Sequence, residues 1–79
     1  MTLVDMKIGE KADVLQINKG LQAERRLFEI GIVPGARIEL LSRHPFKGPL
    51  VLKIGGARIA LGRKIASNIE VKLVDESVN

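Results

Sequence analysis

The sequence predicts a small, mostly β fold that closes, or nearly closes, into a barrel. Three observations lead there. The chain has 79 residues, which is room for one domain and not two. Its apolar residues are almost all Ile, Leu, Val and Ala, and they recur in short alternating runs punctuated by Gly, Pro and Asn. Only one stretch repeats with the period of a helix. Closure deals with the exposed edges that an open sheet of short strands would leave. A chain of this length buries only about 60% of its unfolded surface, so its core must be tightly patterned.

The first run, "LVDMKIG", alternates, with Val4, Met6 and Ile8 on one face and Asp5 and Lys7 on the other. It reads as a half-buried strand. "ADVLQI" reads as a second strand, but Val14, Leu15 and Ile17 do not share a face, so a bulge or strong bend is expected. "NKG" breaks it. A helix follows from about Leu21 to Ile30, with Leu21, Ala23, Leu27, Phe28 and Ile30 on its apolar half and Gln22, Arg25, Arg26 and Glu29 on the other. Phe28 is therefore expected in the core. Glu24 lies within the apolar arc and either snorkels to the rim or pairs, partly buried, with a barrel arginine such as Arg58.

The end of that helix is written in detail. Gly31 fits the left-handed C′ position, which makes Leu27 and Ile32 the apolar pair of a Schellman motif. Pro34 and Gly35 in "VPGA" suit the two central positions of a type II turn. "ARIEL" is a strand with Ala36, Ile38 and Leu40 inward, and "RHPFKGP" is a loop. Leu41 points opposite to Leu40, either under the helix or into an apolar surface patch. "LVLKI" and "ARIAL" form a hairpin across Gly55 and Gly56, because tight hairpin turns need positive φ. "GRKIASN" has room for a single helical turn, and "IEVKLV" is the last strand. Residues 1–74 make the domain, and 75–79 a frayed tail. The short helix thus falls between strands 2 and 3, and the single turn before the final strand resembles that of an SH3-like barrel.

Composition narrows the function. With no cysteine there are no disulfides, thiolate metal sites or thiol nucleophiles, which fits the cytosol. No apolar run approaches the roughly 20 residues that cross a bilayer, and the charged N-terminus is not a signal peptide. The chain is expected to be soluble, cytoplasmic and complete. The only histidine, His44, lies in a proline-rich loop with nothing to orient it toward Ser42, so no catalytic residue is assigned and no enzyme is expected. "GGARIALGRK" has the wrong spacing and lacks the hydroxyl of a phosphate-binding loop. No cofactor is expected. Metal ligands are not identifiable, although His44 or a surface carboxylate leaves room for a weak divalent site, Fe2+ among the candidates.

A net charge of +4 favours acidic partners or an anionic membrane surface. The basic residues are scattered, however, and there is no Trp or Tyr to stack bases, which argues against nucleic acid. What remains is a binding module. Arg25, Arg26 and Glu29 form an outer stripe that is either a partner surface or a solvated face. Phe46, in "HPFKGP", is either a partner anchor or a ring that covers one end of the barrel.

Three blocks, "TLVDMKIGEKADVLQI", "RRLFEIGIVPGARIEL" and "GPLVLKIGGARIALGRKIASNIEV", together resemble FeoA, the ferrous iron transport protein A domain. The resemblance runs to about Val74. It departs at Ala57, where relatives often carry a bulky aromatic, and at Gly62, which breaks the usual "ALR" run. The resemblance implies an SH3-like barrel and a non-enzymatic cytoplasmic role beside FeoB, the membrane GTPase and ferrous iron permease. It also implies kinship with the SH3-like domain of iron-dependent repressors, hence the label of transition-metal binding. The expected function is docking on the cytoplasmic part of FeoB and modulating it. The alternatives are an RNA-binding basic barrel and a direct Fe2+-sensing module. The oligomeric state is open.

Overall fold

The computed structural model describes residues 1–18 and 24–74. Strands β1 (Lys11–Ile17), β2 (Arg37–Arg43), β3 (Leu50–Ile54), β4 (Ala57–Leu61) and β5 (Ile69–Leu73) form one antiparallel sheet in the order β4-β3-β2-β1-β5. Helix α1 (Glu24–Glu29) lies between β1 and β2, and the one-turn α2 (Arg63–Ala66) precedes β5. This is the expected mostly β, SH3-like arrangement. The sheet itself stays open, with β4 and β5 as its outer strands.

The N-terminus departs from expectation. Residues Leu3–Asp5 form a 3-10 helix, not a strand, so the six runs read as strands yield five. The Asp5 carboxylate accepts from the Thr2 N–H at 2.8 Å and from the Thr2 hydroxyl at 3.3 Å, which fixes the turn. In a 3-10 helix residues i and i+3 share a face, so Leu3 and Met6 are buried together while Ile8 is exposed. The sequence signal was the Thr2-x-x-Asp5 spacing of a capping box, hidden under an accidental alternation.

The strands follow their patterns. In β1 the register shifts between Val14 and Gln16, the expected irregularity, and it turns Leu15 out to solvent. A second shift, between Leu40 and Ser42 in β2, leaves Leu41 half-buried. The core is Ala12, Val14, Ile38, Leu40, Leu50, Leu52, Leu61, Ile69 and Val71 from the strands, closed by Leu3, Met6, Leu27, Ile32 and Ala66. Burying a Leu or Ile side chain stabilises the fold by about 1.5–3 kcal/mol.

The turns are as the sequence predicts. The Ile32 N–H donates to the Leu27 carbonyl at 2.8 Å and the Gly31 N–H to the Phe28 carbonyl at 3.1 Å, the two bonds of a Schellman motif, with Gly31 at φ +93°. The Ala36 N–H donates to the Val33 carbonyl at 2.9 Å across Pro34 and Gly35, and Gly35 also has φ +93°. Ile54 pairs with Ala57 across Gly55, at φ +56°, and Gly56.

Helix α1 corrects the wheel. Leu27 is buried, but Phe28 is 70% exposed and Ile30 is exposed as well. Among the described residues the buried contacts here are made by Leu27 and the Ile32 that follows it, and Phe28, about 100° further round the helix, falls outside an arc narrower than a half-wheel. Glu24 and Arg58 are both exposed and make no buried ion pair. The expected start of the helix at Leu21, the "NKG" break past Asn18 and the tail 75–79 lie outside the described residues.

Candidate functional site

The surface offers three groups of side chains. The first is the outer stripe of α1. Arg25, Arg26 and Glu29 are exposed there, as the wheel predicts, and the exposed ring of Phe28 joins them.

The second is the loop between β2 and β3. Phe46 is 99% exposed, so it covers no end of the barrel. The Gly48 N–H donates to the Pro45 carbonyl at 3.1 Å, and the two residues between have φ +58° (Phe46) and +60° (Lys47). Positive φ at both central residues is the sign pattern of a type I′ turn, a conformation that normally selects Asn-Gly. The His44 N–H donates to the Pro49 carbonyl at 3.1 Å and closes the loop's base. Sequence reasoning found the loop and its ring but not the backbone conformation, because nothing in "PFKG" announces a left-handed pair.

The third is the outer face of the sheet, which only the register reveals. Lys11 pairs with Glu39, Glu39 with Lys53 and Lys53 with Arg58, so one row crosses four strands. In the neighbouring row Lys72 pairs with Asp13 and Asp13 with Arg37. The Arg37 guanidinium donates from Nε to Asp13 at 2.9 Å and from a terminal nitrogen at 3.3 Å. That hydrogen bond, with the charges of Arg37 and Lys72, holds the Asp13 carboxyl below the usual range. Lys11, Arg37, Ile38, Glu39, Lys53 and Gly55 line an open groove of ≈ 290 Å³.

These groups are not all brought together. An ideal Cβ on Gly31, just past α1, would stand 3.7 Å from Ile54, the last residue of β3, whereas the Phe46 loop enters β3 at Leu50. At about 3.4 Å per residue the two ends of β3 are on the order of 13 Å apart. The helix stripe and the loop are therefore separate patches. The glycines named as turn devices, Gly31, Gly35, Gly55 and Gly56, with Pro34, serve the backbone.

No hydrogen bond joins half-buried Ser42 to exposed His44. Among the described residues no three of His, Asp or Glu converge in a way that could hold a metal ion. Among them, too, no helix is long and apolar enough to cross a membrane.

Known proteins supply the context. A curated Fe(2+) transport protein A of Methanocaldococcus jannaschii is 33% identical over 66 residues, covering 84% of this chain and 78% of its own length. A Porphyromonas gingivalis protein, described as a fusion of Fe(2+) transport protein A and the Fe(2+) transporter FeoB, is 26% identical over 77 residues. That alignment spans 98% of this chain but 9% of the fusion. The crystal structure of Stenotrophomonas maltophilia FeoA complexed with zinc, described as a procaryotic SH3 domain protein, superposes with a TM-score of 0.78 at 28% identity. It covers 91% of this chain and 89% of that one. The family model of the FeoA domain matches residues 1–73, and the chain therefore belongs to the FeoA family of ferrous iron transport.

Proposed function

We propose that this protein is a non-enzymatic, cytoplasmic adaptor that docks on the cytoplasmic part of an FeoB-type membrane GTPase and modulates iron transport. The observation that carries this reading is the Porphyromonas gingivalis fusion, in which a segment alignable with nearly all of this chain is covalently joined to the FeoB transporter. A covalent link raises the effective concentration of two modules that work together. The surface supports it. A small barrel with a solvated helix stripe and a fully exposed aromatic ring is equipped to bind rather than to catalyse.

Among the described residues no three of His, Asp or Glu converge on a metal site, and no metal ligands are assigned. In this reading ferrous iron is the cargo of the transport system.

The experiment is a titration of fluorescently labelled protein with the soluble GTPase domain of the permease and with the full-length permease in detergent. Saturable binding to either is expected. Absence of binding to both at high micromolar concentration overturns the reading. Salt-dependent, submicromolar binding to generic single-stranded RNA would instead favour the basic-barrel alternative.

A further inference from the structure

We infer that the Pro45–Gly48 turn is a pre-organised anchor that inserts the Phe46 ring into an apolar pocket with an acidic rim on the protein partner. The inference rests on the docking function proposed above and assigns its contact point.

The first observation is strain. Left-handed backbone is uncommon outside glycine, Asn and Asp, and a bulky residue there is an outlier. Here two such residues are adjacent, Phe46 at φ +58° and Lys47 at φ +60°. Such conformations persist only where their surroundings over-determine them. Pro45 fixes its own φ before the turn, and its carbonyl accepts from the Gly48 N–H. Gly48 admits no side chain, since a Cβ there would come within 2.9 Å of the His44 Cβ and 3.1 Å of the Pro45 oxygen. The turn is held from both ends.

The second observation is what the strain presents. The Phe46 ring is 99% exposed, so it stabilises nothing within the fold. Asn-Gly at these two positions would make the same turn without strain. A ring held away from every intramolecular contact, on a backbone that disfavours it, is explained by a contact outside the chain.

The third observation is charge. Between Glu39 and Glu70 the chain has no acidic residue, yet it carries Arg43, Lys47, Lys53, Arg58, Arg63 and Lys64. Arg43 pairs with Leu50 and Leu50 with Leu61, so the loop and the start of α2 lie at the same end of the sheet. Lys47, Arg43, Arg63 and Lys64 therefore give the ring's end of the molecule a positive excess, against the one carboxylate of Asp5 on the segment that Arg43 holds there. A net charge around a docking point selects the opposite sign on the partner and steers encounter.

A pocket in a protein fits better than a lipid surface. A fluid interface accepts an aromatic ring from any loop conformation, so fixing the backbone would gain nothing there. Against a shaped pocket, a pre-set ring avoids the ordering cost of binding.

The test uses three proteins: wild type, Phe46→Ala, and the double variant Phe46→Asn/Lys47→Gly. Each is titrated with the permease GTPase domain and the full-length permease, sedimented with phosphatidylglycerol-rich vesicles, and melted. Phe46→Ala is expected to bind the permease at least about tenfold more weakly, the loss typical of an interface hot spot, with its folding intact. The double variant is expected to bind as weakly while melting about 5 °C or more above wild type, because strain has been removed. Tight binding by Phe46→Ala overturns the anchor and leaves the docking function standing. A double variant no more stable than wild type overturns the strained turn, whatever the binding. Phe46-dependent sedimentation with vesicles, without permease binding, replaces the protein pocket with a membrane and overturns the inference. Wild type that binds neither form of the permease overturns the docking function and the anchor together.

Discussion

The guanidinium of Arg43, at the end of β2, donates to the backbone carbonyl of Val4 at 2.7 Å, and the same nitrogen donates to that of Met6. Nearly forty positions of chain separate donor and acceptors. These carbonyls belong to the 3-10 segment and the residue after it, which have no ladder of their own beyond the single Thr2–Glu70 bridge. The half-buried arginine satisfies two carbonyls that would otherwise lie against the sheet without a donor. It thereby seats Leu3 and Met6 in the core.

Arg43→Met keeps the length of the side chain and removes both bonds. A hydrogen bond to a charged group contributes about 1.5–3 kcal/mol, and because the pair is only part-buried and water can replace some of it, the loss of both is expected to be about 3 kcal/mol. For a domain of this size it corresponds to a fall in melting temperature on the order of 10 °C, read by calorimetry or circular dichroism. An unchanged melting temperature would mean that the N-terminal segment seats itself on Leu3 and Met6 alone.

Leu27 and Phe28 are neighbours on α1 with opposite fates, 1% and 70% exposed. Leu27→Ala opens a core cavity and is expected to cost about 2–5 kcal/mol. Phe28→Ala, on the solvated side, is expected to stay within about 0.5 kcal/mol of wild type. Urea midpoints of the two variants decide it. A reversal of the two costs would return Phe28 to the core, where hydrophobic periodicity alone puts it.

That contrast marks where the fold was legible in the sequence. Features governed by a local backbone rule read through: Gly31 as helix terminator with its Leu27–Ile32 pair, the Pro34–Gly35 turn, the Gly55–Gly56 hairpin and the irregularity in β1. Features that depend on what packs against what did not. Phe28 looks like core until the buried arc of α1 proves to be centred on Leu27 and too narrow to reach it. "LVDMKIG" looks like a strand until the Asp5 carboxylate turns it. The candidate surface was half legible. Phe46 and the arginine stripe could be named from polarity and periodicity. The left-handed backbone beneath Phe46, and the charge rows across the sheet, need coordinates and register.

Asp13 and Arg37 face each other across β1 and β2, and the arginine's hydrogen bond holds the carboxyl below its ordinary value. A carboxylate depressed in the folded state stabilises it at pH values above the unfolded pKa, about 3.9. That contribution disappears as pH falls through the lower, folded value. Asp13→Asn is therefore expected to unfold at lower urea than wild type at pH 7, with the gap closing in acid below the folded carboxyl's range. The pair is substantially exposed, so the gap should also shrink in high salt. A gap that persisted in acid would assign the effect to packing or to the amide rather than to the charge.

Arg25 and Arg26 bear on function more than on stability. Both are exposed on α1, and the buried contact of that helix is made by Leu27. The double change Arg25→Ala, Arg26→Ala removes both helix-surface neighbours of Glu29, at the i,i+4 and i,i+3 spacings, each worth a few tenths of a kcal/mol. Alanine's higher helix propensity offsets part of that. The melting temperature is expected to move by no more than about 2 °C. If the stripe takes part in docking, permease affinity should fall several-fold at low salt, and the difference from wild type should narrow as salt screens the remaining charges. Binding equal to wild type at every ionic strength would leave the helix as a solvated face. The partner contact would then fall to the loop at the opposite end of β3, and the two patches can be told apart because neither substitution touches the other's backbone.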